Sequence, residues 1–444
     1  MKTSIIDLLK LQEVKTMEIL NITVGGFRNI KHQKLCFDSI TALVGLNGYG
    51  KSNIMDAIDF GFDYIHNSNT GRAKLMTSKE NIPILKTNAG QNYIFSIELK
   101  LVSNNKVYYV DYGYSFSWET INSPAKIVNE YLQLKEDAKS QRYKLYIFRT
   151  YDDARYRSSE TGRCSNKIKI DETNLVIAKL MSLDDLYYAD IIKQINSIQY
   201  FIERHLDASP SFIPDPFIFK NVQELELHGI CSIPRAIYFL KKDYTEKYEL
   251  LMNSFKQLFP DVEDIEVHEH KLTQTSKMSF SDDAPFVFTD SIFYMNIIDN
   301  KMVQPLSFER LSDGTKRIFL MLTFAVIADI KGLSLIAIEE PENSIHPSLL
   351  QSYLDVLSQL VCNCKIVITS HSPYMIQYLN PHSIYIGLFN GTGESVFGRI
   401  AANKTNAIIK DAAEYDKSIG DYIFNILSDS DCDEYLKEYL DTDD

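Results

Sequence analysis

The sequence contains no long hydrophobic run. Its longest strongly apolar stretch spans residues 318–328 and ends at Asp329, well short of the roughly 20 residues that a membrane-spanning helix needs. The first 15 residues interleave Asp7, Lys10 and Glu13 among leucines and isoleucines, a pattern unlike that of a secretory signal. We therefore expect a cytoplasmic protein without a membrane partner.

Cysteine is also scarce. The six cysteines are scattered, and only Cys362 and Cys364 lie close together. Their spacing fits neither a zinc knuckle nor a redox pair. We expect reduced, partly buried thiols and no cysteine-based metal site.

The chain has fewer basic residues than acidic ones. The chain carries 46 Lys and Arg against 59 Asp and Glu, which gives a formal net charge of −13. This balance argues against electrostatic DNA binding by the whole surface. A local basic patch stays possible.

The sequence has enough apolar residues for real cores. It has 444 residues, of which 45% are hydrophobic, so two to three globular domains are expected and a disordered or collagen-like chain is excluded. Apolar spacing predicts strands over 17–24 and 40–44, a helix over 53–64, and antiparallel strands over 93–101 and 107–118.

The middle of the chain differs in charge. Residues 126–169 hold eleven Lys and Arg against six Asp and Glu, with tyrosines interleaved. Arg149, Arg155, Arg157 and Arg163 are the candidates for contacts with nucleic-acid phosphates, and the alternative is a solvated face. Helical periodicity follows over 172–206 and 234–259.

The last third returns to alternating strands and helices. Strands are predicted over 335–338 and 365–369, and helices over 317–330 and 348–361. From Ser428 onward the chain carries eight acidic residues and one lysine, for which a solvated terminus is expected.

A phosphate-binding motif lies at residues 45–52. The sequence GLNGYGKS satisfies G-x-x-x-x-G-K-[ST] between a predicted strand and a predicted helix. Its glycines let backbone N–H groups face phosphate oxygens, Lys51 neutralises the β and γ phosphates, and the Ser52 hydroxyl ligates Mg²⁺. A chance glycine-rich turn is the alternative. The residues assigned to nucleotide binding are Asn47, Gly48, Gly50, Lys51, Ser52 and Asn53.

Two adjacent carboxylates follow a predicted buried strand. Glu339 is placed to hold Mg²⁺ and Glu340 to polarise the water that attacks the γ phosphate. A solvated acidic loop is the alternative. The next predicted strand ends at His371, which we expect at the same sheet edge, unless it is a core histidine.

A second anion-binding loop is predicted at residues 311–315, before a helix. Ser312, Asp313 and Gly314 offer a hydroxyl and backbone N–H groups, although a plain helix N-cap explains the sequence equally well. Because one chain would not need two phosphate loops, we predict a head-to-tail dimer in which this loop caps the γ phosphate on the other protomer.

Together these motifs resemble those of the ABC-type ATPases of the SMC, RecF and OLD group. In that family they are the Walker A loop, the signature loop, Walker B with its catalytic glutamate, and the switch histidine. The resemblance covers roughly residues 17–120 and 265–390. It implies an α/β fold: a P-loop NTPase of the ABC or SMC-head type, with a two-lobed mixed sheet and an inserted helical subdomain.

The resemblance also implies further site residues and cofactors. Arg28, in a Phe-Arg turn after the opening strand, is expected to approach the nucleotide, and Gln91 is the candidate for the family's Mg²⁺-sensing glutamine. The cofactors implied are ATP and Mg²⁺. Glu339 replaces the usual Walker B aspartate and Asp313 a usual glycine, so slow hydrolysis is expected.

The function implied is a switch. OLD-like ATPases of this size, without the TOPRIM nuclease, resemble the ATPase subunits of bacterial anti-phage systems such as PARIS and Septu. We therefore expect a homodimer or higher oligomer that controls a TOPRIM or HNH nuclease in trans, with a nucleic acid or a phage protein as trigger. The alternatives are a RecF-like or SMC-like clamp on duplex DNA and an ATP-dependent scaffold.

The motifs divide the chain into five expected regions. They are an appended N-terminal helix (1–16), a first ATPase lobe (17–125), a basic and helical insertion (126–264), a second ATPase lobe (265–400) and a C-terminal helical, acidic tail (401–444).

Overall fold

The computed structural model describes most of the chain. The described residues are 17–121, 123–183, 185–203, 208–214, 217–219, 232–272, 286–288, 290–361, 364–389, 391–428 and 432–441. The predicted N-terminal helix over residues 1–16 lies outside them.

The first half of the chain is dominated by strands. Its strands are β1 (Met17–Phe27), β2 (Ile30–Cys36), β3 (Ile40–Val44), β4 (Tyr93–Ser103), β5 (Lys106–Ser117), β6 (Lys126–Glu136), β7 (Lys144–Arg149), β8 (Ala154–Tyr156), β9 (Asn166–Lys167) and β10 (Tyr200–Glu203). Its helices are α1 (Lys51–His66), α2 (Asn69–Met76), α3 (Val176–Leu180) and α4 (Ala189–Asn196).

The second half alternates strands and helices. Its strands are β11 (Phe217–Phe219), β12 (Val262–Lys271), β13 (Phe286–Phe288), β14 (Ser291–Asp299), β15 (Leu306–Ser307), β16 (Leu335–Glu339), β17 (Lys365–Ser370), β18 (Ile384–Phe389), β19 (Ser395–Ile400) and β20 (Leu440–Asp441). Its helices are α5 (Ala208–Ser211), α6 (Ile233–Asp243), α7 (Thr245–Leu258), α8 (Asp313–Lys331), α9 (Pro347–Leu360), α10 (Pro373–Tyr378), α11 (Thr405–Glu414), α12 (Ile419–Leu427) and α13 (Cys432–Lys437).

The chain forms two compact units. The larger unit comprises residues 15–202, 333–340 and 363–444, and the smaller unit comprises residues 1–14, 203–332 and 341–362. Each is described by itself below.

The larger unit contains an eight-stranded sheet in the order β2-β1-β4-β5-β6-β7-β8-β9, in which every pair of neighbours is antiparallel. Alternate side chains of β4 are buried, and aromatic residues of β4 pack against α1. The Phe60 and Tyr93 rings lie 4.9 Å apart. A Cβ at Gly61 would lie 1.9 Å from the Phe95 ring, so the glycine is what lets α1 approach this sheet.

The larger unit also contains a seven-stranded sheet in the order β10-β16-β17-β3-β18-β19-β20. Strands β16, β17, β3 and β18 are parallel neighbours. Since β3 and β17 are buried along their whole length, the apolar runs seen in the sequence match a parallel sheet covered on both faces. The carboxyl ends of these strands meet at one edge.

Two predictions about local structure are wrong. The helical pattern predicted over 172–206 is broken, because residues 200–203 form edge strand β10 beside β16. The acidic terminus is not simply solvated, because α13 and β20 fold onto the larger unit with Leu436 fully buried and Leu440 largely buried. In both segments, tertiary packing decides the structure against the preference of the local sequence pattern.

The smaller unit is built around α8. This helix buries most of its residues and packs against α5, α7 and α9. Lys247 of α7 donates to Asp329 near the end of α8 at 2.6 Å. Gly332 ends the helix in a left-handed conformation with φ of 67°. Within the described part of the chain, no helix has both the length and the apolar character needed to cross a membrane.

Candidate functional site

The phosphate loop, residues 45–52, joins β3 to α1. Gly48 and Gly50 have φ values of 84° and 89°, a region that side chains with a Cβ rarely adopt. Gly50 is also confined in space, because a Cβ there would lie 2.3 Å from the Ser395 Oγ. The loop conformation therefore requires glycine at both positions.

Lys51 lies at the base of this loop. It is the first residue of α1 and is largely buried. Its Nζ donates to the Gly45 carbonyl at 2.8 Å and to the Leu46 carbonyl at 3.1 Å. Asn47, Gly48 and Ser52 are exposed around it. The predicted nucleotide-binding residues thus form one surface loop at a helix N-terminus, where the helix dipole favours an anion.

The paired glutamates and the histidine lie at the sheet edge where this loop begins. Ladder pairing sets Glu339 opposite Thr369, and Ser370 opposite Val44. Strands β16, β17 and β3 therefore end side by side, and the residues that follow them emerge at the same edge. This is where ligands bind in open α/β sheets.

Glu340 and His371 are in direct contact. The His371 Nδ1 lies 2.9 Å from the Glu340 Oε1. Glu340 has a φ of 47°, unfavourable for a residue with a Cβ, and its N–H donates to the Thr369 carbonyl at 3.0 Å. Backbone strain of this kind concentrates at functional sites. Both side chains are partly exposed, 32% for Glu340 and 46% for His371, so water and substrate can reach the pair.

Glu339 and Gln91 each hold an oxygen that fits a metal ion. The Oε1 of each is buried and has no hydrogen-bond partner, a costly state unless a cation or donor meets the atom. Carboxylate, amide and hydroxyl oxygens are the donors that Mg²⁺ prefers, and Ser52 offers the hydroxyl. Among the described residues there is no group of three or more His, Cys, Asp or Glu that could hold a metal ion.

Arg28 lies beside the first turn of α1. Its guanidinium donates to Asn53 Oδ1 at 2.9 Å and pairs with Asp56. It also reaches Asn81 Oδ1 at 3.3 Å. These contacts fix the start of α1 against the turn after β1, and contact between Arg28 and nucleotide stays a prediction.

Asn29 and Ser395 support the phosphate loop but carry no motif. The Ser395 Oγ donates to the Tyr49 carbonyl at 2.8 Å, and the Ser395 N–H donates to the Asn29 carbonyl at 2.9 Å. Asn29 also accepts from Asn53 at 2.7 Å. Sequence reasoning missed both residues, and only the position of Asn29 directly after Arg28 could have pointed to one of them.

The predicted signature loop, residues 311–315, lies in the smaller unit. Ser312 caps α8, with its Oγ accepting from the Thr315 N–H at 3.2 Å. Asp313 is paired with Lys316 at 2.9 Å. A Cβ on Gly314 would lie 2.2 Å from the Ser344 carbonyl oxygen, so this glycine is required for close packing. Ser312 is thus a helix N-cap, and phosphate binding by this loop stays a prediction.

Two of the four arginines that we expected to contact phosphates are buried, whereas Arg163 is exposed. Arg149 and Arg157 are buried. Arg149 donates to the carbonyls of Asn174 and Asp171, and Arg157 donates to backbone carbonyls nearby. Arg155 is paired with Asp153 at 2.5 Å. Arg149 and Arg157 therefore hold the fold of the region together and are not free for a nucleic acid.

Among the comparisons with known proteins, the match to a protein family identifies an ATPase domain. The family described as AAA ATPase domain has a sequence model that matches residues 17–376. No curated protein matches the chain. Among solved structures, the chain is similar to an SMC head bound to the C-winged helix domain of ScpA, at 15% identity over 88% of this chain and 99% of that one, with a TM-score of 0.45. It is also similar to an SMC head domain from Thermotoga maritima, at 11% identity over 87% of this chain and 100% of that one, with a TM-score of 0.40.

Proposed function

Because the chain belongs to the AAA ATPase domain family, we propose that it binds ATP at the phosphate loop and hydrolyses it to ADP and phosphate. The match covers the loop, both glutamates and the histidine. An ATPase function is also supported by the α/β fold with several sheets and by the phosphate loop between β3 and α1.

Each residue of the site has a role in this proposal. Backbone N–H groups of the loop, the start of α1 and Lys51 bind the phosphates. Mg²⁺ would neutralise charge on the β and γ phosphates, and Ser52, Glu339 and Gln91 would hold it. Glu340 orients and polarises the attacking water, and His371 fixes the Glu340 carboxylate through the 2.9 Å contact.

The observation that carries the proposal is the Glu340–His371 pair. It lies at the ends of β16 and β17, and β17 neighbours β3, where the phosphate loop starts. A structural acidic loop would have no need of a strained glutamate in contact with an imidazole at this edge.

We further propose that the active form is a head-to-tail dimer or higher oligomer. The support is chemical: the first turn of α8 offers backbone N–H groups at a helix N-terminus, and the phosphate loop already supplies one such site in the same chain. In the dimer, the loop at Ser312 would cap the γ phosphate on the partner protomer.

The physiological role that we propose is a switch in anti-phage defence, with an effector nuclease as a separate protein. The support is the resemblance of the motifs to the OLD-like group. The rival function, a clamp on duplex DNA, is less well supported because Arg149 and Arg157 are buried in the fold.

Replacing Lys51 tests the ATPase proposal. In Lys51→Ala the phosphate charges would face backbone dipoles alone, so ATP affinity or turnover should fall at least about 100-fold. ATP binding is measured by calorimetry and hydrolysis by phosphate release, with Lys74→Ala on the exposed face of α2 as the matched control. Turnover at the wild-type rate in Lys51→Ala would refute the assignment.

A further inference from the structure

The C-terminal segment of the larger unit, described over residues 405–428 and 432–441, packs against two elements that adjoin the candidate site. It consists of α11, α12, α13 and β20. Nothing in the motifs assigns it a role. Its contacts are with Pro373, two residues after His371, and with β19, whose first residue supports the phosphate loop.

The first contact is between α12 and the residues that follow His371. Helix α12 packs against α10, which begins at Pro373. A Cβ on Gly420 would lie 1.9 Å from the Pro373 carbonyl oxygen and 2.7 Å from its carbonyl carbon. The neighbour is backbone, so no side-chain rotation could relieve the overlap. Only glycine lets α12 come this close.

The link from Pro373 back to His371 is short and stiff. Pro373 has a fixed φ, and the N–H of Ser372 donates to the Ser370 Oγ at 3.0 Å. Ser370 is fully buried at the end of β17. Since only His371 and Ser372 lie between Pro373 and the buried strand, we expect a shift of the Pro373 backbone to move His371, which contacts Glu340.

The second contact runs along β19. Strand β20 pairs with the end of β19, where Ile400 is opposite Leu440, and a Cβ on Gly398 would lie 2.7 Å from the Leu440 side chain. The other end of β19 is Ser395, which donates to the Tyr49 carbonyl of the phosphate loop. Within one unit, the C-terminal segment is therefore linked through β19 to the residue that supports the phosphate loop, and through Pro373 to the residues after His371.

We propose that Gly420 is a positioning residue for hydrolysis: the packing of α12 on Pro373 holds His371 against Glu340, so that the C-terminal segment controls turnover. This inference rests on the proposed ATPase function. It assigns to the segment the role of a coupling element, through which a protein bound there could accelerate or arrest hydrolysis without touching the nucleotide.

Gly420→Ala tests the proposal, because the added methyl group must displace Pro373. The variant should lose about tenfold or more in kcat, since small misplacements of catalytic groups are costly. Its Kd for a non-hydrolysable ATP analogue should stay within about twofold of wild type, because Lys51 and its loop do not move. Asn425→Ala, at an exposed position of the same helix, is the matched control and should retain wild-type kcat.

A double-mutant comparison separates positioning from general damage. If Gly420 acts through His371, adding Gly420→Ala to His371→Ala should cause no further loss of kcat. The proposal would be overturned if the two substitutions lowered kcat by independent factors that multiply. It would also be overturned if the affinity for the analogue fell as much as kcat. If neither the wild type nor any variant binds or hydrolyses ATP, the proposed ATPase function is wrong. If the wild type hydrolyses ATP and Gly420→Ala has the same kcat as Asn425→Ala, only the proposed role of Gly420 is wrong.

A measurement on the unaltered chain covers the case in which Gly420→Ala does not fold. Coupling between two sites is reciprocal, so binding of the non-hydrolysable analogue with Mg²⁺ should change amide hydrogen exchange in residues 419–427. The change should be absent from Lys51→Ala. Identical exchange of α12 with and without saturating analogue would overturn the proposal.

Discussion

At the scale of single residues, Glu340 combines a strained backbone conformation with the carboxylate proposed for catalysis. Its left-handed φ is held by the hydrogen bond from its N–H to Thr369, and its carboxylate by contact with His371. Such a conformation costs of order 1–3 kcal/mol. The fold tolerates this cost because Glu340 directly follows a buried strand, where the backbone has little freedom to relax.

Glu340→Gln should separate binding from hydrolysis. The amide keeps the shape of the side chain but cannot polarise water, so ATP should stay bound while turnover falls at least about 100-fold. The check is the ratio of ATP to ADP that remains on the protein after gel filtration, with the exposed Glu119→Gln as control. If Glu340→Gln neither accumulates bound ATP nor slows turnover, the catalytic carboxylate lies elsewhere.

Glu130 is a buried carboxylate outside the site. It accepts from the backbone N–H groups of Val176 at 2.7 Å and Ile177 at 2.9 Å, at the start of α3. Burial raises its pKa, against these two donors and the charge of Arg149. The folded chain therefore binds this proton more tightly than the unfolded chain. Between the ordinary pKa of 4.5 and the raised one, the contribution of Glu130 to stability falls as pH rises.

Glu130→Gln should reveal this titration. At pH 4.5 we expect the variant to lose about 1–3 kcal/mol in free energy of unfolding, because its amide leaves a buried N–H donor unpaired. The loss should shrink as pH rises, since only the wild type titrates there. Urea unfolding of both proteins from pH 4.5 to 7.5 measures it, and a loss that grows with pH would contradict the raised pKa.

At the scale of elements, local patterns predicted most strands and helices. The antiparallel strands predicted over 93–101 and 107–118 are confirmed as β4 and β5. Asn104 and Asn105 between them both have positive φ, as a tight hairpin turn requires. Strand β10 was missed because its four residues are too few to show a strand pattern among neighbours with helical spacing. It is a strand because it pairs with β16, which lies more than 130 residues away in the sequence.

The start of α8 is positioned by close packing as much as by its cap. Gly314 contacts the Ser344 backbone within the smaller unit, and Arg317 donates to the Asn343 carbonyl at 2.9 Å. The residues that follow the paired glutamates are thus attached to the predicted signature loop, although the sequence offered only a serine cap and a glycine there.

Gly314→Ala should disturb this contact. The Cβ would overlap a carbonyl oxygen, so we expect a loss of about 1–3 kcal/mol in free energy of unfolding and lower ATP turnover. Thermal unfolding and phosphate release are the measurements. Gly162→Ala is the matched control, because its close neighbour is the Ser159 hydroxyl, which can rotate away. Equal behaviour of the two variants would show that the contact at Ser344 is not tight.

At the scale of the whole molecule, contiguous motifs revealed the phosphate loop, the paired glutamates and the histidine, because each spans a few adjacent residues with defined chemistry. The supporting residues could not be found in this way. Ser395 reaches Tyr49 across 346 positions of sequence, and Gly420 reaches Pro373 from a segment without any motif. The buried state of Arg149 and Arg157 likewise depends on tertiary contacts with carbonyls, which composition does not encode.

The central claim is an ATP-hydrolysing site completed by a second copy of the chain, and mixing two inactive variants tests it most directly. Lys51→Ala lacks the phosphate lysine, and in Ser312→Arg the arginine would fill the space of the γ phosphate. In a mixed dimer, one of the two composite sites keeps both residues intact. Phosphate release from the mixture, with light scattering to follow ATP-induced dimerisation, should show that hydrolysis returns, although neither variant alone has activity. A mixture as inactive as its components, with monomers at saturating ATP and Mg²⁺, would contradict the account and leave Ser312 as a helix cap alone.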